Sequence, residues 1–220
     1  MTDINISKRT THKSSWSELA NIISCGYSYM VISVGDTITF ELKNGRQITV
    51  RAVAKDAYQD NSIVFCTTDC YEEYSMNPTI TSKGGWKKSN LRKHIKKDIL
   101  PLLPDDLVDV IKERKITQTI GDKTYCSKDK LWIPSRTEVG GYSDSIKDID
   151  CEDVHFEYFK SYKERSLSFN DNPNSWWERS PQPSPVSSNS GGFMYVDKVG
   201  NPFSSHPAPT HIGVVVGFMI

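Results

Sequence analysis

Histidines near the end of the chain are among the few residues whose types could support catalysis or metal binding. His206 and His211 lie five positions apart across two prolines, and the sequence offers no third metal ligand close to them. Because a protein zinc site uses three or four protein ligands, this spacing favours polar loop contacts over a metal centre. We therefore expect no metal at these histidines.

A second group of polar side chains offers oxygen ligands of the kind that calcium prefers. The group consists of Asn170, Asp171, Asn172 and Asn174. The sequence has no second acidic cluster near them, and a turn with asparagine hydrogen bonds explains the same run. We expect no cofactor, with calcium as the open alternative.

The cysteines give little support to an enzymatic function. There are five at irregular spacing, Cys25, Cys66, Cys70, Cys126 and Cys151, and none follows the last of these. The pair formed by Cys66 and Cys70 is an isolated C-x3-C, which is a weak metal signal, so buried free thiols are predicted. The sequence also lacks a glycine-rich phosphate loop, a nucleophile elbow and a zinc-protease helix. We predict that the protein is not an enzyme.

Composition limits the partners. Lysine plus arginine equals aspartate plus glutamate, 27 each, in 220 residues, so no overall charge attracts nucleic acid or a membrane. A local basic cluster at residues 87–97 is typical of the solvated face of a helix. The longest apolar stretches fall short of the roughly 20 residues of a membrane span. The polar first residues do not resemble a secretion signal, so we expect cytoplasmic synthesis, with virion association as a further possibility.

The first half of the chain gives clear signals of secondary structure. Residues 1–13 predict a flexible or partner-dependent arm, followed by one domain at residues 14–220. Ser15, Glu18 and Gly26 predict a helix with a capping box and a glycine stop. Alternating apolar residues around Asn44-Gly45 predict a hairpin with a type I′ turn, and "SIVFCTTD" predicts another strand.

The middle of the chain predicts helices with one further strand. Residues 84–117 predict two helices separated by Pro101 and Pro104, because proline breaks a helix interior. The segment "DKLWIPSRTEVGG" predicts a strand that enters a loop. The segment "CEDVHFEYFKSYKERSLSF" has helical spacing of its aromatic residues, which predicts a helix.

The last quarter changes in character. Trp176 and Trp177 are adjacent, and the following segment is rich in proline, serine, asparagine and glycine. The sequence then reaches "HIGVVVGFMI", which predicts a buried strand. A polar, proline-stiffened segment is therefore held between two apolar anchors, and we expect the last strand to lie close to the early hairpin.

Several short motifs occur in a fixed order along the chain. They are Val34-Gly35-Asp36, Met76-Asn77, Gly84-Gly85-Trp86 with Ser89, Leu91 and Arg92, residues 102–107, Asp129-Lys130-Leu131 with Ser135 and Glu138, Trp176-Trp177-Glu178-Arg179-Ser180-Pro181, Phe193, Val196 and Gly200, and Gly213-Val214 with Phe218 and Ile220. In this order they resemble a family of bacterial and phage domains of unknown function with a C-type-lectin-like fold. The resemblance runs from about Trp16 onward. Glu178 stands where an aliphatic residue is common, and Val216 where proline is usual.

The resemblance implies a fold and a scaffold. The fold is α+β, a C-type-lectin-like single domain with antiparallel strands, two to four helices and a long irregular loop region. This fold type carries variable proteins of diversity-generating retroelements, phage receptor-binding proteins and adhesins. The residues implied as scaffold are Trp176, Trp177, Arg179, Phe193, Gly213 and Phe218, and residues 181–212 would be the display loops.

These observations predict a non-enzymatic domain that binds a protein or a surface glycan. Candidate contact residues are polar or aromatic types that binding loops favour: Gln182, Ser187, Asn189, Tyr195, Asp197, Asn201, Ser204, His206 and Thr210. Two alternatives stay open. One is a virion structural or decoration subunit, which includes assembly with copies of itself, and the other is an oxidoreductase like the formylglycine-generating enzymes.

Overall fold

Two five-stranded sheets form the frame of the protein. The computed structural model describes residues 5–7, 15–141, 152–182 and 191–220. The strands are β1 (Asn5–Ser7), β2 (Thr37–Glu41), β3 (Gln47–Lys55), β4 (Ile63–Thr67), β5 (Glu72–Tyr74), β6 (Arg114–Ile120), β7 (Lys123–Asp129), β8 (Leu167–Phe169), β9 (Asn172–Asn174), β10 (Trp176–Pro181), β11 (Gly192–Val196), β12 (Ser204–Pro207), β13 (Ile212–Val214) and β14 (Gly217–Met219).

The helices are short. They are α1 (Trp16–Ser24), α2 (Gly85–Lys88), α3 (Asn90–His94), α4 (Asp105–Val110), α5 (Arg136–Gly140) and α6 (Tyr162–Arg165), with a π-helical turn at Ile95–Ile99 and 3-10 turns at Ser28–Met30 and Leu100–Leu102. The described residues thus hold more α-helices than the two to four expected, because several are single turns. The predicted α+β class is confirmed.

The first sheet has the antiparallel order β1-β2-β3-β4-β14 and packs on α1. Trp16 at the start of α1 is fully buried, and its ring meets Phe40, Phe65 and Phe218 edge-on at 5.2–6.0 Å. Since these rings come from β2, β4 and β14, the last strand shares a sheet and a core with the early hairpin, but β3 and β4 lie between it and β2, so the expected closeness holds only through the shared core. The strand next to β14 is β4 rather than the hairpin.

Local capping signals account for α1. The Ser15 hydroxyl accepts the Glu18 N–H at 3.2 Å, and the Glu18 carboxylate accepts the Ser15 N–H at 3.0 Å. This reciprocal pair satisfies two donors that a helix start leaves unpaired. Gly26 follows the helix with φ +83. The predicted helix and both of its boundaries are confirmed.

The hairpin between β2 and β3 is present, but its turn differs from the prediction. The Gly45 N–H donates to the Leu42 carbonyl at 2.9 Å, and the Leu42 N–H donates to the Arg46 carbonyl at 2.8 Å. Gly45 has φ +84, whereas Asn44 has no positive φ. A type I′ turn needs positive φ at both central residues. The loop between Leu42 and Arg46 has three residues rather than the two of a type I′ turn. It is therefore a longer turn that ends in a left-handed glycine.

The segment predicted as two helices is broken more often than expected. Gly84 and Gly85 have positive φ, and a Cβ on Gly85 would lie 2.4 Å from the Gln118 amide oxygen. The Ser89 side chain accepts the Arg92 N–H and caps the start of a new helix, α3. The second helix, α4, ends at Val110, and residues 114–117 are in β6 rather than a helix. In the basic cluster the lysines are exposed, whereas Arg92 binds Asp129 at 2.7 Å.

Two further predictions about local structure are wrong. Residues 129–141 are predicted to be a strand that enters a loop, but Asp129 ends β7, Trp132 then forms only an isolated bridge, and Ser135 starts α5 with its own capping box. The segment of residues 151–169 was expected to be a helix. Its described part is irregular except for α6 and β8, because Phe156 and Phe159 are buried by turns rather than along one helix face.

The second sheet has the order β12-β11-β10-β13-β5. All of its pairs are antiparallel except β10 with β13, which run parallel. The chain leaves this sheet at Val214 and joins the first sheet at Gly217. Between them Val216 accepts the Thr67 N–H and donates to the Thr67 hydroxyl at 3.3 Å, a bond that proline could not make. Residues 212–220 therefore connect both sheets.

The cysteines are only partly where the sequence predicted. Cys66 and Cys70 are buried, and burial raises the pKa of Cys66 and raises that of Cys70 to about 12. Cys25 and Cys126 are exposed, so their predicted burial is wrong. Cys151 lies outside the described residues. Across the described ranges, none of the helices has both the length and the apolar character needed to span a membrane.

The segment at residues 214–220 should be essential for folding. Its apolar side chains are nearly all within a few per cent of full burial, and each contributes about 1.5–3 kcal/mol. The summed burial free energy lost with these side chains is as large as the usual free energy of unfolding of a domain, about 5–15 kcal/mol. We expect a chain that ends at Gly213 to be insoluble or unfolded by circular dichroism. A soluble, cooperatively melting truncation would contradict this architecture.

Candidate ligand-binding face

The adjacent tryptophans point to opposite sides of the second sheet, because side chains alternate along a strand. Both are fully buried. The Trp176 ring N–H donates to the Arg165 carbonyl at 2.9 Å, and the Trp177 ring N–H donates to the Tyr74 carbonyl at 2.9 Å. Each indole thus has the polar partner that it needs in a core. The expected burial is confirmed for both residues.

Arg179 belongs to a closed ring of buried charges. Its guanidinium contacts Glu138 and Asp153 at 2.5 Å each, and it donates to the Ile133 carbonyl at 2.8 Å. Arg114 contacts the other oxygens of the same two carboxylates. All four side chains are at most 5 % exposed. Arg179 is thus held by two carboxylates and a carbonyl, and we call the group of Arg114, Glu138, Asp153 and Arg179 the ionic ring.

Glu138 makes further hydrogen bonds besides those of the ionic ring. Its carboxylate also accepts the Ser135 N–H at 2.7 Å, which caps α5, and it accepts the hydroxyl hydrogen of Tyr58. Burial alone would raise the pKa of Glu138, but Arg114 and Arg179 outweigh burial and lower it to about 2. Burial and the neighbouring Glu138 raise the pKa of Tyr58. Glu138 is therefore ionised throughout the neutral range, and Tyr58 stays protonated.

Aromatic and imidazole rings form a row beside Trp177 on the second sheet. His206 stacks on Tyr195 at 4.1 Å and approaches Trp177 edge-on at 6.4 Å. Tyr74, which accepts the Trp177 ring N–H through its carbonyl, stacks on His94 at 4.1 Å and meets His211 at 6.4 Å. Apart from buried Trp177, these rings are half-buried or exposed. We call Tyr74, His94, Tyr195, His206 and His211 the aromatic face.

His94 is held more firmly than a surface histidine. Its Nδ1 lies 2.8 Å from Asp98 and its Nε2 lies 2.7 Å from Glu72, while the ring stacks on Tyr74. The Asn90 amide also donates to the Tyr74 hydroxyl at 3.3 Å. Contacts to both ring nitrogens fix the orientation of the imidazole. This end of the aromatic face is therefore rigid.

The structure brings some predicted contact residues together and separates others. Tyr195 and His206 stack, and Ser204 pairs with Tyr195 across the strands. Gln182 and Thr210 are half-buried next to these strands and make backbone hydrogen bonds to Gly192 and Pro207. Ser187 and Asn189 lie outside the described residues. The grouping of Tyr195, Ser204 and His206 is the part of the predicted set with a shared surface.

Asp197 and Asn201 shape the turn between β11 and β12. One Asp197 oxygen accepts the N–H groups of Val199 and Asn201 at 3.0 and 2.9 Å, and the Asn201 side chain accepts the Phe203 N–H at 3.2 Å. These bonds are typical of residues that close turns. Both side chains are half-buried rather than fully exposed. Their acceptors are thus largely engaged with the backbone.

The remaining scaffold residues are buried. Phe193 and Val196 are fully buried and Phe218 nearly so, as expected. Gly213 lies where a Cβ would come within 2.3 Å of the Cys70 sulfur, which leaves no room for a side chain. No pattern in the sequence pointed to Tyr74, His94 and His211 as face residues, or to Arg114 and Asp153 as ring partners. The capping box at Ser135 and Glu138 was the one signal that could have located the ring.

The polar run proposed for calcium forms a hairpin turn. Asn170 and Asp171 have φ +50 and +62 between β8 and β9, as a type I′ turn requires. Asn172 donates to the Asn170 carbonyl, and Asn174 donates to Glu73 at 2.9 Å. Among the described residues no group of three or more histidine, cysteine, aspartate or glutamate side chains is arranged to hold a metal.

The fold and this face define an α+β domain with a buried ionic scaffold and one aromatic surface. A family model described as Domain of unknown function (DUF6273) matches residues 57–220. The chain belongs to this family, and the match includes the ionic ring and the whole aromatic face. No curated protein and no solved structure matches the chain.

The ionic ring predicts an acid-sensitive stability. The folded pKa of Glu138, about 2, lies below its ordinary value of 4.5. Its charge therefore stabilises the fold above pH 4.5, and this contribution, on the order of 3 kcal/mol, is lost as the pH falls toward 2. We expect urea unfolding to show that Glu138→Gln is less stable than the parent at neutral pH and loses less stability on acidification. The control is the exposed Glu157→Gln, and equal acid dependence in all three proteins would contradict the prediction.

The tryptophan pair predicts a large loss of stability on truncation. Trp177→Ala removes a fully buried ring and its hydrogen bond to Tyr74, so the free energy of unfolding should fall by about 3–5 kcal/mol. Trp176→Ala should cost a similar amount. Denaturant titration followed by circular dichroism measures both. Variants within 1 kcal/mol of the parent, roughly the effect of a surface change, would show that the rings are not core.

Proposed function

We propose that this protein is a non-enzymatic binding domain that recognises a protein or a surface glycan through the aromatic face. The observation that carries the proposal is the stacked pair of Tyr195 and His206, 4.1 Å apart and half-buried above Trp177. Stacked rings that keep an open side offer contact area without much loss of side-chain freedom on binding. The resemblance to C-type-lectin-like receptor-binding and variable proteins supports the same reading.

The scaffold beneath the face suits this role. Trp177 lies between the two halves of the aromatic face, and Arg179, two positions further on the same strand, is fixed by the ionic ring. A binding surface on strands with locked side chains keeps its geometry when the ligand arrives. The polar groups around it, Ser204 and Gln182, are half-buried and can supply directional hydrogen bonds. We propose that binding needs no cofactor, with calcium as the alternative.

The two alternative functions have less structural support. An oxidoreductase of the formylglycine-generating type needs reactive thiolates, and burial raises the pKa of Cys66 and of Cys70, which disfavours their thiolate forms. A virion structural or decoration subunit would use the same face to contact its own assembly. A receptor-binding protein would instead use it on a foreign surface. We favour recognition of a foreign surface, because the rings of Tyr195 and His206 are only half-buried in the single chain.

A cell-binding assay tests the proposal. Fluorescently labelled protein is applied to a panel of bacterial and animal cells, untreated, protease-treated or periodate-treated. We expect binding that Tyr195→Ala and His206→Ala each reduce by about tenfold, the effect of losing a contact of roughly 1.4 kcal/mol. Loss after protease treatment indicates a protein ligand, and loss after periodate indicates a glycan.

The matched control is Tyr29→Ala, which removes an equally large ring that is 68 % exposed on another element. All three variants should keep the parental melting temperature within a few degrees, since none removes a fully buried side chain. Binding that survives both face variants would place the working surface elsewhere, with the basic residues 87–97 as the next surface to test. Absence of binding to every cell in the panel would favour the assembly subunit.

A further inference from the structure

A second candidate site lies along β6, apart from the aromatic face. It is a cavity of about 260 Å³. Its lining residues are Tyr58, Gln59, Glu113, Arg114, Lys115, Thr117, Glu152, Asp153 and Met219. None of them belongs to the aromatic face. We call it the β6 cavity.

Arg114 supplies the strongest indication that the β6 cavity takes a ligand. This side chain is 4 % exposed, and its two terminal nitrogens are occupied by Glu138 and Asp153. Its guanidinium lies 3.5 Å from the centre of the Tyr58 ring and 5.1 Å from that of Trp132. Within the described part of the chain its Nε–H meets no acceptor. A buried donor on a charged group is costly to leave unmatched, so an acceptor oxygen in the cavity would satisfy it.

The charges around the cavity have both signs. Arg114 and Lys115 are cationic, and Glu113, Glu152 and Asp153 are anionic. Asp153 and Arg114 already pair within the ionic ring, so Lys115, Glu113 and Glu152 are the remaining charges of the lining. A simple anion would meet these carboxylates, and a simple cation would meet Lys115 and Arg114. A ligand that carries both charges avoids either repulsion.

We propose that the β6 cavity binds a small zwitterion, an α-amino acid. Its carboxylate would accept the Arg114 Nε–H and pair with Lys115, and its ammonium would pair with Glu113 or Glu152. The Tyr58 ring and the Met219 thioether provide apolar contact for its side chain. The volume lies just below the usual 300–1,000 Å³ of small-molecule sites, which suits a ligand of this size.

Thermal shift and calorimetry on the full chain test the proposal. Each standard amino acid is added at millimolar concentration. We expect at least one to raise the melting temperature, because a ligand that binds only the folded state stabilises it. Two analogues of the amino acid that binds are then compared with it: the amine without the carboxylate and the acid without the amine. Each should bind at least about tenfold more weakly, since each loses a charge-assisted hydrogen bond.

Variants on the rim avoid disturbing the ionic ring. Lys115→Ala and Glu113→Gln replace exposed side chains of the lining, and each should weaken binding about tenfold, as expected for one charged contact. Lys123→Ala is the matched control, because Lys123 is exposed on the neighbouring β7 outside the lining. It should bind as the parent does.

Three results would overturn the proposal. They are the absence of heat or melting shift with every amino acid, equal binding of the amine and acid analogues, and parental binding by both rim variants. Because none of these measurements involves the aromatic face, their outcome is independent of the cell-binding assay.

Discussion

Four charges that are removed from water constrain the protein more than any other interaction. Arg114 comes from β6, Glu138 from α5, Asp153 from an irregular segment and Arg179 from β10. Each guanidinium bridges both carboxylates, so removal of any one member leaves an unbalanced buried charge, which is far more costly than loss of a surface pair. Four distant segments must therefore meet in one arrangement.

The ionic ring joins two motifs that are far apart in the sequence. The first motif, Ser135 to Glu138, supplies the carboxylate, and the second, Trp176 to Pro181, supplies Arg179. The same Glu138 that starts α5 orients the arginine that fixes β10, and β10 carries the tryptophan beneath the aromatic face. The two motifs therefore meet in the contact between Glu138 and Arg179.

Local signals were predictable from the sequence, and long-range ones were not. The capping pair of Ser15 and Glu18 determines α1 within four residues, so its pattern is complete in the sequence. Phe156 and Phe159 have helical spacing, yet their burial is dictated by neighbours such as Tyr58 and Trp176 from other segments. The ring partners Glu138 and Arg179 are 41 positions apart, and only the fold brings them together. The same holds for the aromatic face, because Tyr74 and Trp177 are 103 positions apart.

The shared segment at residues 212–220 has a consequence for biosynthesis. A ribosome delivers this segment after all the other strands, and both sheets need it as a neighbour for β4, β5 and β10. Until it emerges, the nascent chain holds two incomplete sheets with exposed apolar edges, which are prone to aggregation. Folding cannot proceed sheet by sheet during translation, and the domain closes in one late step. Productive synthesis therefore depends on keeping the unfinished chain soluble.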